Sequence, residues 1–370
     1  MAMFEKNTIV RSQAGYPKEL LSRRQFLKLL ALGVASASSS MLGACQPVDP
    51  IQATALPSQT PSPTPEPRPS STATVVEESA PAKQANIVRT RHPGVWQGET
   101  LDPAALREML DASLARLTHI EDAQKAWESC FKPHERVAIK VNSIIHGSTH
   151  LALALAVAER LQDAGVPAEQ ITLYDRSSQE LRNSGFPVST SGDGLRCTGT
   201  DGQLVDGWEV NGSAVSLSQV LAECDALINI PILKAFSLGG LSFAMKNHYG
   251  SVDNPSRFHG MNFAPGITGL NALEPIRDRT RLIIGDVLTQ ETHQDEFDYV
   301  VVGGTKALLM GTDPVAIDSI GLQMSEVALE SLGVNIRTVQ AQAGEWLQAG
   351  ADAGLGVFEL AQINISEIGL

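Results

Sequence analysis

The chain has 370 residues, 43% hydrophobic and 19% charged, a balance typical of folded globular proteins that rules out wholesale disorder. Asp+Glu outnumber Lys+Arg by 41 to 28, giving a net charge of −13. A general nucleic-acid binder needs a basic surface, so no nucleic-acid partner is expected. Aromatics at 5% argue against a surface built on base or sugar stacking, and four cysteines are too few for a disulfide scaffold.

The first 45 residues read as an address. Ser22-Arg23-Arg24-Gln25-Phe26-Leu27-Lys28 fits the twin-arginine export pattern. Leu29 to Ala44 follows, 16 residues without a charge, shorter than the ~20 a spanning helix needs. Leu42-Gly43-Ala44-Cys45 then suits a lipoprotein signal peptidase, which cleaves before a lipidated cysteine. A core helix with a chance arginine pair is the ordinary alternative. The order of charge, apolar stretch and cleavage box favours the leader. Without residues 1–45 the chain keeps 22 basic and 39 acidic residues, a net −17. Such a chain does not adhere to an anionic bilayer by charge, so attachment falls to lipid on Cys45. The expected partners are the twin-arginine export machinery and the bilayer. The expected location is the outer face of the cytoplasmic membrane or the cell envelope.

Gln46 to Ala85 has nine prolines in 40 residues and no aromatic. It reads as a disordered tether, because such a segment favours extended conformations and builds no core.

The folded part is expected over 86–370. Asp102-Pro103 starts a helix, with Asp as N-cap and Pro at the first helical position. Leu106, Met109, Leu110, Leu114 and Leu117 continue it at helical spacing. Arg136 to Asn142 reads as a strand, His150 to Ala164 as an apolar helix stopped by Gly165, and Ile171 to Asp175 as the next strand. That βαβ unit makes the two strands parallel. Asp225 to Ile230 and Arg281 to Asp286 read as two more strands, and Asp313-Pro314 caps another apolar helix. The alternation predicts an α/β fold, a largely parallel sheet with helices on both faces. Ser184 to Gly212 reads as a turn-rich hairpin excursion.

In an open parallel sheet, ligands bind beyond the carboxyl ends of the strands. Lys140 and Asn142, Asp175, Asn229 and Asp286 end the candidate strands. Lys140 lies in an apolar run, opposite Ile139 and Val141. It is either on a solvated edge strand or a cation aimed at an anionic ligand. Ser148, Thr149 and His150 enter a helix and offer backbone N–H groups to an anion; alternatively Ser148 or Thr149 is simply the N-cap. Asn229 to Gly250 combines a strand end, Lys234, the diglycine Gly239-Gly240 and an expected amphipathic helix carrying Lys246, Asn247 and His248. Lys246 could merely complement a helix C-terminus, but that leaves Lys234 and Asn229 in the same segment unexplained.

Four blocks carry a resemblance. They are Ile139-Lys140-Val141-Asn142, Asn229 to Lys234, Ala244 to Gly250, and Thr312 to Asp318, closed by Gly354-Leu355-Gly356. In this order they resemble the domain of unknown function 362 family, over roughly residues 136–365. The resemblance implies an α/β domain of a kind found in exported and redox-associated proteins, and supplies no reaction. Some relatives carry ferredoxin-type cysteine clusters. Here only Cys130, Cys197 and Cys224 follow Cys45, without C-x-x-C spacing, so a tetra-cysteine iron–sulfur cluster is not supported.

Two functions are weighed. The first is an enzyme acting on a small anionic substrate. Lys140, Lys234 and Lys246 would bind charge, with Lys234, Lys246, Asp175 and Asp286 as catalytic candidates. Asp175, Asp286 and His248 are candidate metal ligands, and a metal or redox cofactor is left open. Asp313 and Asp318 are further acid–base candidates, Asp313 being most economically a cap, and His150, His248 and His259 are possible proton carriers or ligands. His92, His119 and His293 read as surface residues. The second function is a solute-binding lipoprotein without catalysis. No G-x-S-x-G elbow, P-loop or H-E-x-x-H signature is present.

Overall fold

A computed structural model describes residues 9–10, 84–144, 147–191, 194–236, 239–259, 263–293, 299–302, 305–331 and 335–370. The leader and tether lie outside the described residues, apart from Ile9–Val10 and Gln84–Ala85.

Eight strands form the continuous path of one large sheet. In chain order they are Ala85–Arg91 (β1), Val137–Lys140 (β2), Ile171–Asp175 (β3), Arg196–Gly199 (β4), Ala226–Asn229 (β5), Thr280–His293 (β6), Ala307–Gly311 (β7) and Ile363–Gly369 (β8). Across the sheet the order is β8-β1-β7-β6-β5-β2-β3-β4. Neighbours from β6 to β4 are parallel, as are β8 and β1. β7 alone on this path runs against its neighbours. The expected α/β fold with a mostly parallel sheet is the one observed. Ile9–Val10 pairs antiparallel with Tyr299–Val302, which in turn pairs with the far end of β6.

Period-two alternation divides the strands between two cores. Val137 and Ile139 of β2 join Leu106, Met109 and Leu110 of the helix Pro103–Thr118 and Leu153 and Val157 of the helix Leu151–Asp163. Ala138, between them, faces the core built by Val315, Ile317 and Ile320 of the helix Pro314–Ser331 and Trp346 of the helix Arg337–Asp352. Helices therefore cover both faces of the sheet.

The caps agree with the sequence pattern. Asp102 accepts from the N–H groups of Ala104 and Ala105. Asp313 accepts from Ala316 N–H at 2.8 Å and also from Val357 N–H at 3.0 Å.

Three expectations are corrected. The excursion from Ser184 to Gly212 includes β4, which closes one edge of the main sheet; only Leu204–Val210 and Ser213–Ser218 form a separate hairpin. The strand starting near Arg281 continues to His293, so Asp286 lies inside β6 rather than at its end. The amphipathic helix expected after Lys234 is absent. Ile232–Phe236 turns back into Gly240–Ser242, and a 3₁₀ segment, Lys246–Ser251, follows. The diglycine causes the turn. Gly239 and Gly240 have φ of 88° and 77°, values that favour glycine. A Cβ on Gly240 would also stand 2.5 Å from the Val339 carbonyl oxygen.

Among the described residues no helix is long and apolar enough to cross a membrane. Cys130, Cys197 and Cys224 are free thiols. Burial pushes Cys224 up to about 11, and burial with the nearby Asp175 charge pushes Cys197 up to about 12, so both stay protonated at neutral pH.

Candidate functional site

Polar side chains gather where β2, β3 and β5 end. Lys140 is fully buried on a central strand, so the solvated-edge explanation does not apply. Its ammonium donates to Asp175 Oδ1 at 2.6 Å, to the Val141 carbonyl at 2.7 Å and to Asn247 Oδ1 at 3.4 Å. An ammonium has three N–H groups, and three protein acceptors meet them. Lys140 is thus half of a buried ion pair with Asp175.

Asp175 is equally committed. Its Oδ2 accepts from Ser143 N–H at 2.6 Å and Ser143 Oγ at 2.7 Å. Burial works against its charge, but Lys140 and Ser143 outweigh it and hold the carboxyl below its ordinary range. Through these bonds it joins the end of β2 to Ser143 beyond it. Ser143 was not singled out in the sequence, since a serine following a strand carries no periodic signal.

An amide chain extends from this ion pair. Asn247 Oδ1 also accepts from Asn142 Nδ2 at 3.1 Å, and Asn247 Nδ2 donates to Asn229 Oδ1 at 2.7 Å. Asn229 Nδ2 donates to the Ala244 carbonyl at 2.9 Å. Asn142 Oδ1 accepts from Lys234 Nζ at 3.0 Å. Five residues, Lys140, Asn142, Asn229, Lys234 and Asn247, drawn from two distant stretches of the chain, therefore form one connected buried network. Fully satisfied networks of this kind hold a single geometry.

Lys246 stands beside it. Its Nζ lies 5.1 Å from the Phe263 ring centroid and 5.9 Å from that of Tyr249. Burial and the Lys234 charge push its ammonium down to about 7. His259 packs edge-on against Tyr249 with centroids 5.2 Å apart; burial and the Lys246 charge lower it in turn. Lys246 lies at the start of a 3₁₀ segment, so complementing a helix C-terminus does not explain it.

His248 is buried, with Nε2 3.5 Å from Asn229 Nδ2 and Nδ1 3.4 Å from Ser251 Oγ. Ser251 also meets the Tyr174 hydroxyl at 3.1 Å. Burial and the Lys140 charge push His248 down to about 3, so it is a neutral imidazole across the physiological range. Tyr174 and Ser251 went unnoticed in the sequence because each reads as an ordinary core position.

Neither Ser148 nor Thr149 caps the helix Leu151–Asp163. Ser148 Oγ donates to Ser184 Oγ at 2.7 Å. Thr149 Oγ1 accepts from Asn142 N–H at 2.8 Å and donates to the Ile230 carbonyl at 2.7 Å. The N-cap is His150, whose N–H donates to Asp286 Oδ2 at 2.9 Å. The anion expected at this helix start is thus supplied by the protein itself.

Asp175 is bound to Lys140 and Ser143, Asp286 to His150, and His248 to Asn229 and Ser251. No cluster of three or more His, Cys, Asp or Glu able to hold a metal occurs among the described residues. Asp318, fully buried, accepts from the N–H groups of Ala244 and Met245, the latter at 2.9 Å. It thereby fixes the segment that leads into Lys246. His119 is an exposed left-handed helix C-cap, and His92 lies 3.6 Å from Glu108; the side chain of His293 lies outside the described residues.

A cleft of about 590 Å³, lined by Arg136, Ala138, Thr172, Arg196 and Thr198 among others, lies toward the amino-terminal ends of β2 and β3. It shares no residue with the network, and the open-sheet rule places ligands at the other edge.

Fold and site together define an α/β protein with a lysine–asparagine network at the carboxyl edge of its parallel strands. The chain belongs to the family described as Domain of unknown function (DUF362), whose sequence model matches residues 137–323. The matched stretch contains the whole network and Asp318. No curated protein matches the chain. Two solved structures are distant neighbours. The lactate racemase apoprotein from Thermoanaerobacterium thermosaccharolyticum has 9% identity and a TM-score of 0.35, covering 65% of this chain and 57% of that one. A Thermotoga maritima protein has 12% identity and a TM-score of 0.32, covering 70% and 60%. The chain thus spans less than two thirds of either neighbour, and neither likeness carries an argument about its chemistry.

Proposed function

We propose that the protein is an enzyme acting on a small anionic substrate at the carboxyl edge of the sheet, exported by its twin-arginine leader and held at the membrane by lipid on Cys45. One observation supports the catalytic reading. Lys234 and Lys246, only 6% and 9% exposed, lie close enough that the charge of one lowers the other. Two like charges in a poorly hydrated site favour an anion between them. The Lys140–Asp175 pair is already neutral and does not serve that purpose.

The two lysines differ in what they can do. Lys234 is anchored on Asn142 and acts as a fixed positive group for the substrate anion. Lys246, near 7, is part ammonium and part free amine at neutral pH. A free amine in an apolar surrounding can accept a proton or attack a carbonyl carbon. Phe263 and Tyr249 shield it from water. Asn142 and Asn247 keep the surrounding amides in one orientation.

The test is binding, then turnover. Full-length protein is titrated with inorganic phosphate and with small mono- and dicarboxylates by calorimetry and thermal shift. At least one anion should bind, and Lys234→Ala and Lys246→Ala should each weaken it by about tenfold or more, as expected for a lost charged contact. Unchanged affinity in both variants rejects the site. Binding that depends on both lysines, with no chemical change in any ligand, favours the solute-binding lipoprotein.

A further inference from the structure

The same sheet edge carries a second group, built by β6 and the helix Leu151–Asp163. His150 Nδ1 lies 2.8 Å from Asp286 Oδ2 and 3.1 Å from Oδ1. Asp286 Oδ1 also accepts from Leu288 N–H at 3.3 Å. Asp286 is wholly buried, whereas the imidazole keeps 21% of its side-chain surface. Trp96 packs edge-on against that ring with centroids 5.4 Å apart, and its indole N–H reaches the Leu288 carbonyl at 3.4 Å. The ring is therefore held on one nitrogen and braced on one side.

A simpler account is that Asp286 only caps the helix through His150 N–H. That bond alone would suffice for capping. It does not require the imidazole to lie on both carboxylate oxygens, nor a tryptophan to brace it.

The chemistry follows from the held nitrogen. A carboxylate on Nδ1 selects the tautomer with its proton there and leaves the lone pair on Nε2. Asp286 is the charge acting on the ring, and it raises the imidazole above its ordinary value although burial works the other way. Thr149, next in the chain, exchanges two hydrogen bonds with Asn142, the residue that holds Lys234. The backbone that carries the imidazole is thus tied to the amide that holds Lys234.

We propose that His150 is a general base at this edge, oriented by Asp286 and Trp96, which removes a proton through Nε2 from the hydroxyl of a water or alcohol. In that step the O–H bond breaks and an N–H bond forms at Nε2. The electron pair stays on oxygen, and the buried Asp286 carboxylate stabilises the imidazolium. Asp286 is a positioning residue in this scheme. The inference stands apart from the anion site, since none of its three side chains belongs to the Lys234–Lys246 pair.

The experiment uses full-length protein and p-nitrophenyl acetate, an ester whose hydrolysis reports an accessible imidazole base. Wild type should hydrolyse it at least about tenfold faster than His150→Gln, with a rate that rises as His150 loses its proton. Asp286→Asn should move the midpoint of that rise to lower pH. Nitrogen NMR of the wild-type ring supplies a readout that needs no variant to fold: at high pH the proton should sit on Nδ1. Equal rates in wild type and His150→Gln, or an Nε2–H tautomer, overturn the proposal. Either failure leaves the lysine-dependent anion affinity to be judged by its own titration.

Discussion

Gly250 lies directly against Asp175: a Cβ placed on it would stand 2.0 Å from Asp175 Oδ1 and 2.7 Å from Lys140 Nζ. The buried ion pair at the end of β2 therefore exists in its present form because residue 250 has no side chain. Gly250→Ala should push the carboxylate off Lys140. Separating a buried pair is costly, typically about 3–5 kcal/mol. Urea unfolding checks this, and a variant as stable as wild type would show that the pair is not needed at its observed position.

Lys246 should make the proposed anion binding proton-linked. With the ammonium near 7 in the free protein, a bound anion raises it, so binding takes up a proton above that pH. Affinity should fall as pH rises through 7 and beyond, by at most about tenfold per pH unit. Calorimetry in buffers of different ionisation enthalpy should show the uptake, and Lys246→Met should abolish it. In the unliganded protein the sign runs the other way. The unfolded chain holds a proton that the folded chain has released, so this residue's contribution to stability grows from about pH 7 toward the ordinary lysine value of 10.5.

Asp318 has the opposite effect on stability. Burial pushes its carboxyl up to about 8, although the N–H groups of Met245 and Ala244 pull it down. The folded state therefore holds a proton that the unfolded state has lost, and stability should decline as pH rises from about 4 to about 8. Asp318→Asn keeps an oxygen acceptor and removes the titration. Its melting temperature should vary less over that interval than that of wild type. Curves that remain parallel would show that Asp318 is already ionised in the folded protein.

The proposed export and lipid anchoring rest on two short motifs. Arg23→Lys combined with Arg24→Lys should leave precursor in the cytoplasm, and Cys45→Ser should move the protein out of membrane fractions. Normal export of the double variant through the same route would sink the leader assignment. Continued membrane association of Cys45→Ser would do the same for the lipid anchor.

The sequence by itself determined the features with local causes. Asp102-Pro103 and Asp313-Pro314 specify helix starts because a carboxylate accepts the first free N–H groups and proline needs none. The apolar run through Val137 and Ile139 specifies a strand, and a helix between two such runs makes them parallel. The strand ends read from these runs then brought Lys140, Asn142, Asp175 and Asn229 to one edge of the sheet. Tertiary structure alone decided what those residues do. Lys140 is paired with Asp175, 35 positions away, and His150 with Asp286, 136 positions away. These contacts follow from the strand order β6-β5-β2-β3, which no local period encodes. For the same reason the stretch after the diglycine read as a helix: the hairpin there packs Gly240 against the backbone of Val339 and Ala343, about a hundred residues later. Whether a lysine is a free cation or half of an ion pair is settled by distance in space, and the sheet sets that distance.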